Sequence, residues 1–275
     1  MNYVLITGAY GGMGYKTAKL LSENGYTVFA LDKKTNAPEK NIIPVETDIT
    51  DAKSVSCAFD LVREKTDELK AIIHFAGIYR LDSLVEMSEE RFTGIFDVNV
   101  FGAYRINKTF LPLLNSGAKI IITTSELAPL NPLPFTGIYG ISKTTLEKYA
   151  FSLRMELQLL GISVSVLRAG AVNTGLLSVS TAELENFCNR TEIYTYNADK
   201  FRKIVNRVET KNVPPEKIAK TALRALNSRH PKYVYNVNRN PLLKILSALP
   251  AKWQTKIIGK ILKPKIKNKK NPDSN

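Results

Sequence analysis

The sequence predicts an α/β fold in which a parallel sheet is covered by helices on both faces. Short apolar runs alternate with helical stretches of ten or more residues along most of the 275-residue chain, as right-handed βαβ units require. Several runs, Val4-Leu5-Ile6 and Ile120-Ile121-Ile122 among them, are apolar without interruption, as strands buried on both faces must be. A glycine-rich turn joins the first run directly to the first helical stretch.

Taken in order, residues 3–7 read as a strand, because the N-terminal segment lacks the basic start and small-residue cleavage site of a signal peptide. A helix is predicted over 13–24, strands over 27–32 and 42–46, a helix over 52–68 and a strand over 71–75. A long helix over 88–114 precedes a strand over 119–124, a helix over 138–160 and a strand over 163–168. A helix over 215–228 and a strand over 233–237 complete the alternation. The stretch 175–213 is mixed in polarity and bounded by Gly175 and Pro214-Pro215. It is expected to be irregular, and so long an excursion reads as a substrate lid. One domain is therefore expected over 1–240, an amphipathic helical extension over 241–263, and a flexible Lys-rich tail over 264–275.

Composition removes several function classes. Cys57 and Cys188 lie far apart without a CxxC pair, and His74 and His230 stand alone. No disulfide framework or metal-ligand cluster is expected, and a reducing, cytoplasmic location fits. No run approaches the ~20 apolar residues that span a bilayer. The net charge of +14 resolves into +17 over residues 200–275 and −3 over residues 1–199. A nucleic-acid binder spreads positive charge over its binding face, so no nucleic-acid partner is expected.

The first turn reads Thr7-Gly8-Ala9-Tyr10-Gly11-Gly12-Met13-Gly14 between a strand and a helix. Glycines there let the backbone approach a pyrophosphate at the helix N-terminus, although tight turns use the same residue. Asp32 ends the second strand, where a carboxylate accepts hydrogen bonds from adenosine ribose hydroxyls and repels a 2′-phosphate. NAD is therefore expected over NADP. The alternative is a turn aspartate, with the adjacent Lys33-Lys34 pair available to a phosphate.

Ser125 follows the 119–124 strand, and Tyr139 and Lys143 lie four residues apart near a helix start, on one helical face. A phenol of ordinary pKa ~10 is a poor base at neutral pH, and a nearby ammonium stabilises the phenolate. Such a tyrosine can take a proton from an alcohol or give one to a carbonyl oxygen. The same spacing recurs at Tyr15/Lys19, Tyr104/Lys108 and Tyr196/Lys200. Only Tyr139/Lys143 follows an apolar strand with a serine at its carboxyl end, the edge where α/β sheets bind ligands.

Together Thr7-Gly8, Gly12, Gly14, Ala76-Gly77, Asn99, Ser125 and Tyr139-x-x-x-Lys143 resemble the classical short-chain dehydrogenase/reductase family over about residues 2–240. The resemblance implies a Rossmann-type, doubly wound sheet of about seven parallel strands and hydride transfer with a nicotinamide cofactor. It implies a catalytic tetrad of Asn99, Ser125, Tyr139 and Lys143, with Asn99 supporting a proton relay from Lys143. It assigns cofactor contacts to Gly8, Gly12, Met13, Gly14, Asp32, Asp48, Ile49, Ala76, Gly77, Val172 and Thr174, besides Asn99, Tyr139 and Lys143. A homo-oligomer is expected. Three departures stand out: His74-Phe75 replaces an Asn-Asn pair, Ala169-Gly170 replaces Pro-Gly, and Glu126 follows Ser125 at slightly long spacing from Tyr139. His74 reads as a packed strand residue.

Tyr79, Leu81, Leu127, Leu133 and Phe135, with Leu176, Leu177 and Phe187 from the lid, are candidate walls of an apolar pocket. A lipophilic secondary alcohol or ketone is the expected substrate, similar to those of the retinol and hydroxysteroid dehydrogenase branch. Trp253, Ile257, Ile258, Ile261 and Leu262 fall at helical spacing beside Lys252, Lys256, Lys260 and Lys263. That helix either lies on an anionic membrane surface or packs on protein. Two other functions stay open: a nucleotide-sugar epimerase or dehydratase of the extended branch, and a non-catalytic dinucleotide-binding regulator. The glycine spacing and chain length oppose the first; the Ser125, Tyr139 and Lys143 set opposes the second.

Overall fold

A computed structural model describes residues 2–209 and 211–263; the expected flexible tail over 264–275 lies outside the described residues. Its strands are β1 (Asn2–Thr7), β2 (Tyr26–Asp32), β3 (Ile42–Glu46), β4 (Ala71–His74), β5 (Lys119–Ser125), β6 (Ser163–Ala169) and β7 (Val234–Val237). They pair in parallel throughout, in the order β3-β2-β1-β4-β5-β6-β7. The helices are α1 (Gly12–Glu23), α2 (Ala52–Arg63), α3 (Glu89–Phe96), α4 (Gly102–Phe110), α5 (Gly137–Leu157), α6 (Gly175–Arg190), α7 (Thr195–Glu209), α8 (Glu216–Asn227), α9 (Pro241–Ala248) and α10 (Ala251–Leu262).

Strand alternation sends neighbouring residues to opposite layers. Val4 and Ile6 pack with Ala18, Leu21, Ile218 and Ala222 of α1 and α8. Leu5 packs with Val55, Ala58, Ile106, Phe110, Leu146 and Ala150 of α2, α4 and α5. The sheet is thus doubly wound, as expected.

Two regions differ from expectation. The single helix predicted over 88–114 is α3 and α4 joined by a π-helical turn, Asp97–Phe101, of the kind often found at functional sites. The stretch 175–213 is not irregular: it contains α6 and α7. Its periodicity is masked because α6 turns charge inward. Glu183, 8% exposed, pairs with Arg80 at 3.1 Å and Arg91 at 2.7 Å. Arg91 also meets Asp82, 1% exposed, at 3.0 Å, and Arg190 of α6 pairs with the same carboxylate. These ion pairs clasp α6 to the segment after β4. A parallel bridge between Val172 and Val213 ties the two ends of the excursion together.

The last helix folds back onto this region. Leu262 is buried in a cluster with Phe135, Leu184, Phe187 and Phe201, and Ile258 packs against it. Asn197 Nδ2 donates to Leu262 O at 2.9 Å, and Lys200 Nζ to Lys263 O at 2.8 Å, which satisfies carbonyls at the α10 end. Both alternatives for this helix therefore have a physical basis: one stripe packs, while Trp253 and Ile261 stay 57% and 45% exposed. Among the described residues no helix is long and apolar enough to cross a membrane.

Candidate active site

β1 has β2 on one side and β4 on the other, so the chain turns away in opposite directions beyond these strands and opens a crevice. Gly8 turns there with φ 65°, and a Cβ on it would lie 2.5 Å from Ala76 N. A Cβ on Gly12 would lie 2.7 Å from the Thr174 side chain. Gly14 is buried in the first turn of α1. The N-cap, Gly11, has no side-chain cap and the first turn has no acid, so α1 offers its N–H groups to an anion.

A cleft beside this turn is lined by Gly8, Asp32, Lys33, Lys34, Ile49, Ala76 and Gly77, among others. Asp32 Oδ2 accepts from Tyr10 N at 2.9 Å and Oδ1 from Lys33 N at 2.8 Å, which fixes the carboxylate while leaving lone pairs for ribose hydroxyls. Asp48 does not line the cleft; Thr47, Ile49 and Thr50 do. Its Oδ2 pairs with Lys33 Nζ at 2.8 Å, and Oδ1 accepts from Thr50 N and Oγ1 at 2.9 and 2.6 Å. Burial works to raise the Asp48 carboxyl, but Lys33 and Thr50 outweigh it and leave it below the usual range. The glycine cradle, the uncapped helix start and the fixed Asp32 fit a dinucleotide.

A second cavity adjoins the first and shares Phe75, Gly77 and Ile78 with it. Met13, Val172 and Thr174 line it, together with Ser125, Tyr139 and Lys143. Ser125 is the last residue of β5, and its Oγ accepts from Leu127 N at 3.1 Å. Tyr139 is buried at the start of α5 with its ring 4.7 Å from that of Tyr79. Burial pushes its phenol up to about 12, against a hydrogen bond with Ser125 that works downward. Lys143 Nζ lies 5.8 Å from the Tyr139 ring centroid and donates to Thr123 O at 3.3 Å. Burial pushes this ammonium down to about 8.

The sequence argument expected the ammonium to pull the phenol down, but desolvation dominates. The counterparts of Tyr139 in the repeated spacing are surface pairs, with Tyr104 and Tyr196 45% and 48% exposed.

The π-helical turn presents Asn99. Its Oδ1 accepts from Ile78 N at 2.8 Å, while Nδ2 donates to Ile78 O at 3.0 Å and Ser142 Oγ at 3.1 Å. A Cβ on Gly77 would lie 3.2 Å from both Asn99 Oδ1 and Lys143 Nζ; glycine lets these groups close in.

His74 is buried as read. Its Nε2 lies 2.9 Å from Asn107 Oδ1 and Nδ1 3.4 Å from Thr7 Oγ1, and Asn107 Nδ2 donates to Tyr149 OH at 3.1 Å. Burial pushes the imidazole down to about 4 despite the Asn107 bond. Ala169 stays in register with Val237, and Gly170 N donates to Val237 O at 2.9 Å, so the segment without proline starts from a paired strand.

Tyr79, Leu127, Leu133, Leu176 and Leu177 line the cavity as expected. Leu81, Phe135 and Phe187 do not; they form a buried core with Leu184 of α6 and Phe201 of α7. Phe135 holds a left-handed φ of 64° there, with its ring against those of Phe187, Tyr194 and Phe201. The sequence reading missed Phe201, Ile204 and Val205 of α7 and Leu243 of α9, which complete the wall. The i, i+3, i+4 spacing of the first three was the available signal.

A crevice at the switch point of a parallel sheet, with a buried tyrosine and lysine facing it, is the construction of a dinucleotide-dependent oxidoreductase. Residues 2–185 match the family model described as short chain dehydrogenase, and the chain belongs to that family of enzymes, which bind NAD or NADP. It is 27% identical to a 3-ketodihydrosphingosine reductase of Bacteroides thetaiotaomicron over 91% of this chain and 92% of that one. It is 29% identical to the Homo sapiens 17-beta-hydroxysteroid dehydrogenase type 1 over 88% of this chain and 80% of that one. A short chain dehydrogenase/reductase from Burkholderia phymatum, solved in complex with NAD, superposes with a TM-score of 0.75 at 21% identity, covering 96% of this chain and 97% of that one.

Proposed function

We propose that this enzyme transfers a hydride between NAD(H) and a lipophilic secondary alcohol or ketone, with Tyr139 as the proton carrier. The observation that carries this is the buried Tyr139, hydrogen-bonded to Ser125, beside a cavity walled largely by leucines, Phe201, Ile204 and Val205. The names of two relatives, a ketodihydrosphingosine reductase and a hydroxysteroid dehydrogenase, point to keto and hydroxy substrates. Bound NADH supplies the hydride, and NAD accepts it in the reverse direction. Ser125 hydrogen-bonds the reacting oxygen. Tyr139 gives its proton to that oxygen in reduction and takes one in oxidation. Asn99, locked to Ile78, and Gly77 keep Lys143 beside the tyrosine. Asp32 favours NAD by opposing a 2′-phosphate, and Lys33 is already paired with Asp48.

The test is NADH consumption with long-chain, steroid and aliphatic ketones, and NADH formation with the matching alcohols. Turnover of lipophilic members is expected. No turnover in either direction, or a strict requirement for NADPH, overturns the reading.

The enzyme is further read as docking peripherally on anionic bilayers from the cytoplasm. Leu242, Ile245, Trp253 and Ile261 are 70%, 63%, 57% and 45% exposed, beside Lys244, Lys252, Lys256 and Lys260, and no acid occurs over residues 240–272. Each lysine near such a surface contributes about 1 kcal/mol. Co-sedimentation with phosphatidylserine vesicles, lost in high salt and absent with phosphatidylcholine alone, is expected. A protein that stays in the supernatant at low salt refutes the docking.

A further inference from the structure

Glu126 follows Ser125 and is the one carboxylate among the described residues that line the substrate cavity. Its backbone N–H donates to Ala169 O at 2.9 Å, so its root continues the ladder by one residue. β5 itself ends at Ser125, and strand alternation no longer separates the two side chains, both of which line the cavity.

Oε2 accepts from Asn240 N at 2.6 Å, at the entry to α9. Oε1 lies beside Gly170, 3.2 Å from where a Cβ would stand, while the Asn238 carbonyl fills that space. Among the described residues no donor bonds Oε1, and Arg239 acts on the carboxyl through space without an ion pair. Burial raises this carboxyl above its usual range, with the Asn240 bond and Arg239 working downward.

A half-buried carboxylate beside leucines, with one oxygen uncommitted, is costly unless something pairs with it. A structural role for Glu126 as a strap on α9 uses only Oε2. The second oxygen is available to a ligand, and the partner that best compensates a desolvated carboxylate is a cation that also donates a hydrogen bond. Consecutive Cα atoms are ~3.8 Å apart and both side chains line the one cavity, so a single substrate can meet Ser125 with one group and Glu126 with another.

We propose that Glu126 is a specificity-determining residue that selects substrates with a protonated amine beside the reacting carbon, as in a 2-amino ketone, by accepting its N–H on Oε1. This rests on the hydride-transfer reading above and names a substrate class for the same site.

The experiment uses the full chain with NADH and three ketones of equal chain length: a 2-amino ketone, a 2-hydroxy ketone and the unsubstituted ketone. The wild-type enzyme is expected to favour the amino ketone over the unsubstituted one by roughly 10- to 100-fold in kcat/KM, the range of a charge-assisted hydrogen bond. Glu126→Gln and Glu126→Leu are expected to bring that ratio close to one, chiefly through KM, with NADH titration verifying that each variant is folded. Three results overturn the proposal: no wild-type preference, a preference for the hydroxy ketone over the amino ketone, or a ratio that survives in Glu126→Leu while all three rates fall together. The last identifies Glu126 as a strap on α9 alone. Wild-type protein that turns over none of these ketones or their alcohols overturns the hydride-transfer reading and the proposal with it; turnover without preference overturns the proposal alone.

Discussion

At one end of the cleft, Gly8, Asp32, Lys33 and Ile49 come from the first fifty residues and meet Ala76 and Gly77 after β4. Backbone turns and short polar bonds place them. At the other end, Leu133, Leu177, Phe201 and Leu243 come from four distant segments. That end depends on the buried ion pairs of Asp82 and Glu183 and on the aromatic cluster around Phe135. The first end is mostly local in sequence, and its Gly8 and Gly12 leave no room for a Cβ. The second is assembled by long-range packing, and its lining can vary without moving the sheet. Substitutions at the two ends are therefore expected to separate cofactor binding from substrate turnover.

The sharpest break between the two ends is Tyr139→Phe. It keeps the ring against Tyr79 but removes the transferable proton, so turnover should fall about 10²- to 10⁴-fold. NADH titration should change little. Near-normal turnover in this variant would place the proton carrier elsewhere.

A pH titration probes the sheet beneath the dinucleotide end. His74 is pushed down to about 4 when folded against ~6.5 unfolded. Between these values the unfolded chain binds more protons, so stability rises with pH and is lost as pH falls through that window. The loss attributable to His74 is about 3 kcal/mol. Urea midpoints measured from pH 7 to pH 4 should fall less steeply in His74→Asn, and parallel curves would show that the ring does not titrate alone.

The smallest expected effect sharpens the cofactor end. Asp32→Ala should narrow the preference for NADH over NADPH by about tenfold, removing one charged hydrogen-bond acceptor. Side-by-side fluorescence titrations measure it; an unchanged ratio would remove Asp32 from the selection.

The local end was the more legible from sequence. The turn at Gly8–Gly14 and the acid at 32 each lie within a few residues of a strand end, and Tyr139 and Lys143 share one turn of α5, so their spacing survives without tertiary knowledge. The substrate end did not read out as well. Leu81, Phe135 and Phe187 are as apolar as Leu127 or Leu177, and only the path of α6 decides which of them face the cavity. Residues 175–213 concealed two helices because the inward face of α6 mixes Leu184 and Phe187 with the ion-paired Glu183, which blurs the apolar stripe. Asp48 sits beside the expected cleft with its carboxylate bonded to Lys33 and Thr50, a choice of partner that sequence order does not encode. Burial works upward on the phenol of Tyr139, an influence that neighbour spacing does not reveal.

The fold-back of α10 has a consequence for the order of events on the ribosome. Chains emerge N-terminus first at ~5–20 residues per second. The strands that frame the dinucleotide crevice, β1 through β5, are complete by Ser125, whereas Leu262, which plugs the core with Leu184 of α6 and Phe201 of α7, is made more than a hundred residues later. The five strands that frame that crevice are therefore made well before the residue that closes the packing under the opposite chamber.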